Sequence, residues 1–278
     1  MSGSISLAVV GHVEWVEFAR VDRLPSAGDV CHAETLFTEP AGGGAVAAVQ
    51  LARLAGAADF FTAVGEDEHG ARSRSRLAEL GVTVHVQPAG EPTRRGMTLI
   101  DHDSERTIIT LGRRLEPPGS CVQALGPCDG LYFTAGDAEA LKLARERARV
   151  LVASPRARAA LAAADVRPDV LVYSAADRFE AAAAAELGDV AELYVATRGE
   201  AGGRWHDARG RTGEWCAAPL PGQERDTYGA GDTFAAGVTY ALAAGMELDG
   251  ALALAARCSA TCLTGNGPYE RMLGAADL

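Results

Sequence analysis

Between Gly130 and Thr197, short apolar runs alternate with helical stretches, and no other feature limits the possible folds as much. Leu131 to Thr134, Val150 to Ala153, Val170 to Tyr173 and Leu193 to Thr197 read as buried strands. Helical stretches follow after Asp137, from near Pro155, and over Phe179 to Leu187. Parallel neighbours need a crossover between them, so this alternation implies a central, mostly parallel sheet with helices on both faces. The fold class is α/β. In such open sheets a ligand sits beyond the carboxyl ends of the strands.

Upstream, Ser6 to Gly11 reads as a first buried strand and Ala45 to Leu54 as an amphipathic helix. Phe60 to Val64 is a strand, Asp67 to Leu80 a helix stopped by Gly81, and Val82, Val84 and Val86 alternate as a further strand. Downstream come a hairpin (Gly203 to His206 and Gly213 to Cys216), a helix burying Phe234, Val238, Ala241 and Leu242, and a last helix, Leu248 to Leu263. Two blocks do not suit a parallel core: residues 14–37, and 93–111 with its polar hairpin turn Asp101-His102-Asp103-Ser104-Glu105. Together they form a small β lid on one domain spanning residues 1–278. His102 between two Asp residues reads as a solvated turn, because adjacent side chains diverge.

The formal net charge is −11 with no basic tract, which argues against nucleic-acid and membrane partners. Met1 to Val10 has no basic segment ahead of its apolar stretch, and no uncharged apolar run reaches membrane-spanning length, so the expected location is cytoplasmic. Six cysteines (Cys31, Cys121, Cys128, Cys216, Cys258, Cys262) include no C-x-x-C pair and read as free buried thiols in a reducing cytosol. The only lysine is Lys142. A P-loop and a protein kinase each need a lysine at the phosphates, so any phosphate must meet arginine, backbone N–H groups or metal.

Arg225-Asp226-Thr227-Tyr228-Gly229-Ala230-Gly231-Asp232-Thr233-Phe234 is a glycine-rich turn opening into an apolar helix. A helix start aims unpaired N–H groups and the positive dipole end at one point, which favours an anion and is expected to keep Asp232 ionised. An anion cradle beside a base suits phosphoryl transfer to a hydroxyl. The plainer alternative is an ordinary first-turn Asp after a loop that is glycine-rich for turn reasons. Thr197-Arg198-Gly199-Glu200-Ala201-Gly202 by itself is a turn after a strand. Gly42-x-Gly44-x-x-Ala47 fits a loose dinucleotide fingerprint, but it does not follow the first strand and Thr38-Glu39-Pro40 is a poor strand end.

The run Asp226 to Asp232, Asp-Thr-x-Gly-Ala-Gly-Asp, resembles the C-terminal signature of the ribokinase-like (phosphofructokinase-B-type) carbohydrate kinase family, and the seven-residue match is complete. The resemblance implies Asp232 as catalytic base and the amides of Gly229, Ala230 and Gly231 as the anion hole. It implies that Thr197, Gly199 and Gly202 face the nucleotide, with Thr227 also on the cofactor side. Gly42, Gly43 and Gly44 resemble the family's acceptor-side glycines, although Ala41 replaces the first glycine and Val46 an Asn. Glu14 stands where relatives carry Asn, and Val16 where they carry a sugar-binding Asp. Glu14 lies on the same strand face as position 16, so it takes over acceptor binding or is an exposed strand residue. Ser174 and Asp177 occupy an Asn-x-x-Glu segment that organises magnesium and phosphate. Asp226 with Thr227 either builds a monovalent-cation loop, as in some relatives, or stabilises the turn.

The resemblance thus implies a kinase using ATP and Mg2+, with K+ as the ion of the cation loop. The acceptor is a hydroxyl, expected to be primary, of a small sugar, sugar phosphate or nucleoside. Arg94, Arg95, Arg113 and Arg114 flank the lid strands, which suits an acceptor bearing a phosphate. An exposed lid edge suits a homodimer. The alternative is a nucleotide- and sugar-binding regulatory protein without turnover.

Overall fold

A computed structural model describes residues 5–278. The expectation for the N-terminus therefore lies outside the described residues over 1–4. The chain begins β1 (Leu7–Val10), β2 (Glu14–Arg20), β3 (Thr35–Ala41), α1 (Gly43–Ala55), β4 (Ala58–Gly65), α2 (Glu68–Glu79) and β5 (Val82–Ala89). It continues through β6 (Arg95–Ile100), β7 (Arg106–Leu111), α3 (Gly119–Val122), β8 (Cys128–Phe133), α4 (Ala138–Arg147) and β9 (Ala148–Ala153). Then follow α5 (Arg158–Ala163), β10 (Val170–Ser174), α6 (Arg178–Leu187), β11 (Leu193–Thr197), β12 (Gly203–Asp207), β13 (Thr212–Trp215), α7 (Ala230–Ala243) and α8 (Leu248–Cys262).

Nine strands form one sheet in the order β13-β12-β11-β10-β9-β8-β1-β4-β5. Every pair from β11 to β5 is parallel, and only the β12–β13 hairpin is added antiparallel at one edge. Side chains of β1 alternate between two cores, as the strand period requires. Leu7 and Val9 join the core under α1, α7 and α8, while Ala8 and Val10 join the one under α3 to α6.

The two early blocks make a separate four-stranded sheet in the order β3-β2-β6-β7, with β2 and β6 parallel (Val16 opposite Gly96). Two expectations change here. Thr38-Glu39-Pro40 is strand after all: Pro40 pairs opposite Trp15 in β3, an edge strand, where a residue without an N–H is tolerated. The helix α1 is not amphipathic; Gly43 to Ala52 and Leu54 are all buried, since it lies between the large sheet and α7. Even Gln50 is enclosed, donating from Nε2 to the Leu273 carbonyl at 2.8 Å.

Smaller corrections follow. Leu242 of α7 is only half-buried. Cys31 and Cys216 are exposed, whereas Cys121, Cys128, Cys258 and Cys262 are buried and all six are free thiols. Burial pushes the Cys258 and Cys262 thiols up to about 12. The 101–105 turn is organised by Asp101, whose Oδ1 accepts the N–H groups of Asp103 and Glu105, and His102 stands in solvent beside Asp103. No helix among the described residues is long and apolar enough to cross a membrane.

Candidate active site at the start of α7

Asp232 is the third residue of α7, whose N-cap Gly229 is left-handed (φ 85°). Only glycine enters that conformation freely, and a Cβ there would also lie 3.0 Å from Val46 Cγ1. The loop ahead of it is strapped down. Asp226, fully buried, accepts the Tyr228 N–H through Oδ1 (2.8 Å) and the Gly267 N–H through Oδ2 (2.9 Å). The Arg225 N–H donates to the Leu263 carbonyl and the Cys262 thiol to that of Tyr228. The first helical bond runs from the Thr233 N–H to the Gly229 carbonyl at 2.9 Å. Among the described residues, no protein acceptor takes the N–H groups of Gly229, Ala230, Gly231 or Asp232. Space beside Gly231 is open.

Across from this helix start stands the 42–44 turn. A Cβ on Gly43 would lie 2.8 Å from Asp232 Oδ1 and 3.4 Å from Thr134 Oγ1, so three segments converge on one point. Gly42 donates its N–H to the Tyr228 hydroxyl (3.1 Å) and faces the His12 ring. Gly44 packs its backbone on that of Gly11 and His12, where a Cβ would lie 2.8 Å from the His12 carbonyl oxygen.

Glu14 is not an exposed strand residue. It is 7% exposed, with Oε1 3.4 Å from His12 Nε2 and 3.2 Å from Arg94 Nη1. Burial alone would raise its pKa, but the hydrogen bond and charge of His12, with Arg94 and Arg114, hold it below the ordinary glutamate value. Glu14 and Val16 share a face as expected, since a Cβ on Gly96 would meet both.

Asp232 departs from expectation the other way. Burial pushes its pKa up in spite of the helix start; Arg156 opposes that shift, Glu180 adds to it, and His12 and Arg106 oppose it. Asp232 as a residue is half-buried.

Comparison with known proteins adds a second line. The model of the pfkB family of carbohydrate kinases matches residues 4–118 and 167–273. The chain belongs to the pfkB family. A ribokinase from Arabidopsis thaliana is 31% identical over 110 residues, 38% of this chain and 29% of that protein. An ATP-dependent ribose-1-phosphate kinase from Halopiger xanaduensis is 32% identical over 102 residues, 36% of this chain and 34% of that protein. The chain thus spans about a third of the length of the curated relatives it matches. The structure of Arabidopsis thaliana ribokinase with ribose and ATP superposes with a TM-score of 0.75 at 20% identity, covering 99% of this chain and 97% of that one. The fold is that of ribokinase-like structures.

Other positions of this pfkB-family chain behave differently from one another. Thr197 ends β11, half-buried with its hydroxyl 3.5 Å from the Tyr173 carbonyl, while Gly199 is exposed and a Cβ there would meet nothing within 4 Å among the described residues. Gly202 is buried, and a Cβ there would lie 2.0 Å from the Trp215 carbonyl; packing of the hairpin explains that glycine. Thr227 accepts a hydrogen bond from Arg106 of β7 (2.9 Å), linking the lid to the signature loop. With both oxygens of Asp226 on backbone N–H groups, the turn-stabilising alternative is the one its contacts support.

Asp177 caps α6, its Oδ1 accepting from Phe179 and Glu180 and its Oδ2 lying 3.5 Å from Arg156. Glu180 receives Arg156 Nε on Oε1 (2.5 Å) and the Ser174 N–H on Oε2 (2.8 Å). Each carboxylate oxygen of this segment therefore has a protein partner. No group of three or more His, Cys, Asp or Glu among the described residues is placed to hold a metal ion. The residues present do not fit a magnesium ion ligated directly by Asp177.

His12, Arg106, Thr134, Arg156 and Glu180 escaped the sequence reading, whereas Arg94, read there as a cation for an acceptor phosphate, is paired with Glu14. One signal was available for three of them: His12, Thr134 and Arg156 stand one to three residues beyond β1, β8 and β9, at the carboxyl ends where ligands bind. Arg106 and Glu180 carry no such mark.

Proposed function

We propose that this chain is a kinase that transfers the γ-phosphoryl of ATP to a hydroxyl of a small sugar, with Asp232 as the base. The observation that carries the reading is the convergence of Asp232 Oδ1 on Gly43, beside N–H groups of residues 229–231 that no protein acceptor among the described residues takes. An acceptor hydroxyl held over Gly42 and Gly43 gives its proton to Asp232. Its oxygen bonds to the γ-phosphorus as the bond to the bridging oxygen breaks, and that electron pair leaves with ADP. The amides of Gly229, Ala230 and Gly231 stabilise the charge of the moving group. Thr197, at the end of β11, and the exposed Gly199 after it border the nucleotide. Magnesium is typical of this family's chemistry, but no step here runs through a protein-held ion.

The relatives' names frame the acceptor as a sugar or a sugar phosphate. Contacts favour the first. Arg94, Arg95, Arg113 and Arg114, which in sequence suit an acceptor phosphate, are ion-paired with Glu14, Glu17, Glu91 and Glu116. A phosphate there would have to displace carboxylates. Val16 and Val46 are fully packed in the core, so the acceptor must be held by other groups than in relatives that carry Asp and Asn there. That substitution is also what motivates the reading as a binding protein without turnover. ADP release over a panel of sugars, sugar phosphates and nucleosides separates the two. Turnover with one class, abolished in Asp232→Asn, supports the kinase; ATP binding with no release above that variant supports the binding protein.

A further inference from the structure

Arg156 stands in an unusual position for a surface-accessible arginine. It follows β9 in the turn Pro155–Ala157 and lines a cavity of about 460 Å³ shared with Arg114, Arg158, Asp177 and Glu180. Its side chain is 44% accessible yet surrounded by protein, as a cleft wall is, and its charge acts on Asp232 more than any other cation does. Nε is anchored to Glu180, itself only 13% exposed and fixed by the Ser174 N–H. Among the described residues, Nη1 has no partner, and Nη2 makes only the 3.5 Å approach to Asp177. An arginine pinned by one edge presents its other N–H groups as a preset fork, the geometry that matches two oxygens of a phosphoryl group.

Charge supply at this end of the sheet makes the position matter. The chain's single lysine, Lys142, is in α4. Arg94 is paired with the buried Glu14, and Arg106 holds Thr227. The Ser174–Asp177 segment, where relatives organise magnesium, has its oxygens committed to the α6 cap and to Arg156 itself. We propose that Arg156, anchored on Glu180, binds the γ-phosphoryl of ATP through its Nη edge, with Nη2 turning from its 3.5 Å approach to Asp177, and so supplies the cationic charge that the altered segment does not. This rests on the kinase reading.

The test is calorimetric affinity for ATP and for ADP, each with and without Mg2+, in the wild type, Arg156→Met and Arg156→Lys. Arg156→Met should lose about 10- to 100-fold in ATP affinity while ADP affinity stays within about twofold, since only ATP carries the phosphoryl in question. Arg156→Lys, which keeps the charge without the fork, should recover part of the loss, and it serves in place of Arg156→Met if that variant does not fold. Equal losses for ATP and ADP, an unchanged ATP/ADP ratio, or no preference for ATP in the wild type would each overturn the assignment. Failure of the kinase reading looks different: no acceptor gives wild-type ADP release above Asp232→Asn, whatever Arg156 does to nucleotide affinity.

Discussion

Asp232 Oδ1 lies 2.8 Å from the point where a Cβ on Gly43 would stand, so the carboxylate and the turn at the start of α1 occupy one another's space. A real Cβ does not come so near an oxygen, and either the turn or the carboxylate must move. Gly43→Ala should therefore cut ADP release by about 100-fold, as a displaced base loses its line to the hydroxyl. Melting temperature should change little, because Asp232 can rotate where a backbone neighbour could not. Unchanged turnover in Gly43→Ala would contradict the placement.

Burial raises the pKa of Asp232, and the base works only when ionised. Turnover should rise with pH through a limb lying above the ordinary carboxylate range, read from kcat/KM against pH. Arg156 opposes the shift, so Arg156→Met should move that limb to still higher pH. The same shift bears on stability. A carboxyl whose folded pKa is raised destabilises the fold above that pKa and no longer does so below its unfolded value. Asp232→Asn should melt higher than the wild type at pH 7, and the gap should narrow as the pH falls through the raised folded pKa and be closed by about 3.8.

Glu14 is the opposite case. Its pKa is lowered by partners, so it contributes stability above its unfolded value that is lost as the pH falls through the lowered one. Arg94→Met leaves a buried carboxylate with His12 and only the weaker charge of Arg114, and should cost about 3–5 kcal/mol in denaturant unfolding. The double variant Arg94→Met/Glu14→Gln should recover much of that. If the double variant is as unstable as the single one, lost packing and not the stranded charge is the cause.

Asp226 is expected to act on the loop itself. Asp226→Ala strands the Tyr228 and Gly267 N–H groups, about 1–3 kcal/mol each if neither finds water. Unfolding of the ligand-free protein, compared in Na+ and K+, checks this. A loss seen only in K+ would instead favour a cation loop.

The lid edge gives a prediction of assembly. All six residues of β7 are exposed, among them Ile108, Ile109 and Leu111, on a strand with one unpaired edge. A homodimer through this edge should be broken by Ile109→Lys, seen as a fall to monomer mass in light scattering. A wild-type monomer at the concentrations of assay would remove the proposal.

Reading the chain by itself located the parallel core, because the strand-helix alternation from Leu131 to Thr197 has few folded solutions. It also marked the 226–232 loop, where glycines and two aspartates carry a local pattern. The edges were harder. Thr38-Glu39-Pro40 reads as a poor strand end because sequence does not tell an edge strand from a central one. Asp232 looked well ionised because a helix start is visible locally, whereas the burial that raises its pKa comes from distant segments. The packing of Gly202 on the Trp215 carbonyl of the next hairpin, which leaves no room for a Cβ, carries no mark in the sequence.

What the sequence determined by itself was therefore everything set by period and by local chemistry: the sheet, its helices, the lid strands, and a helix start with a carboxylate in its first turn. Only the tertiary structure decided which charges meet there. Glu14 gains His12 and Arg94, and Arg156 gains Glu180 and acts on Asp232, through contacts between residues far apart in the chain. The physical reason is range. Hydrophobic period and turn chemistry act between neighbours in sequence, while desolvation and Coulomb interactions depend on distance in space.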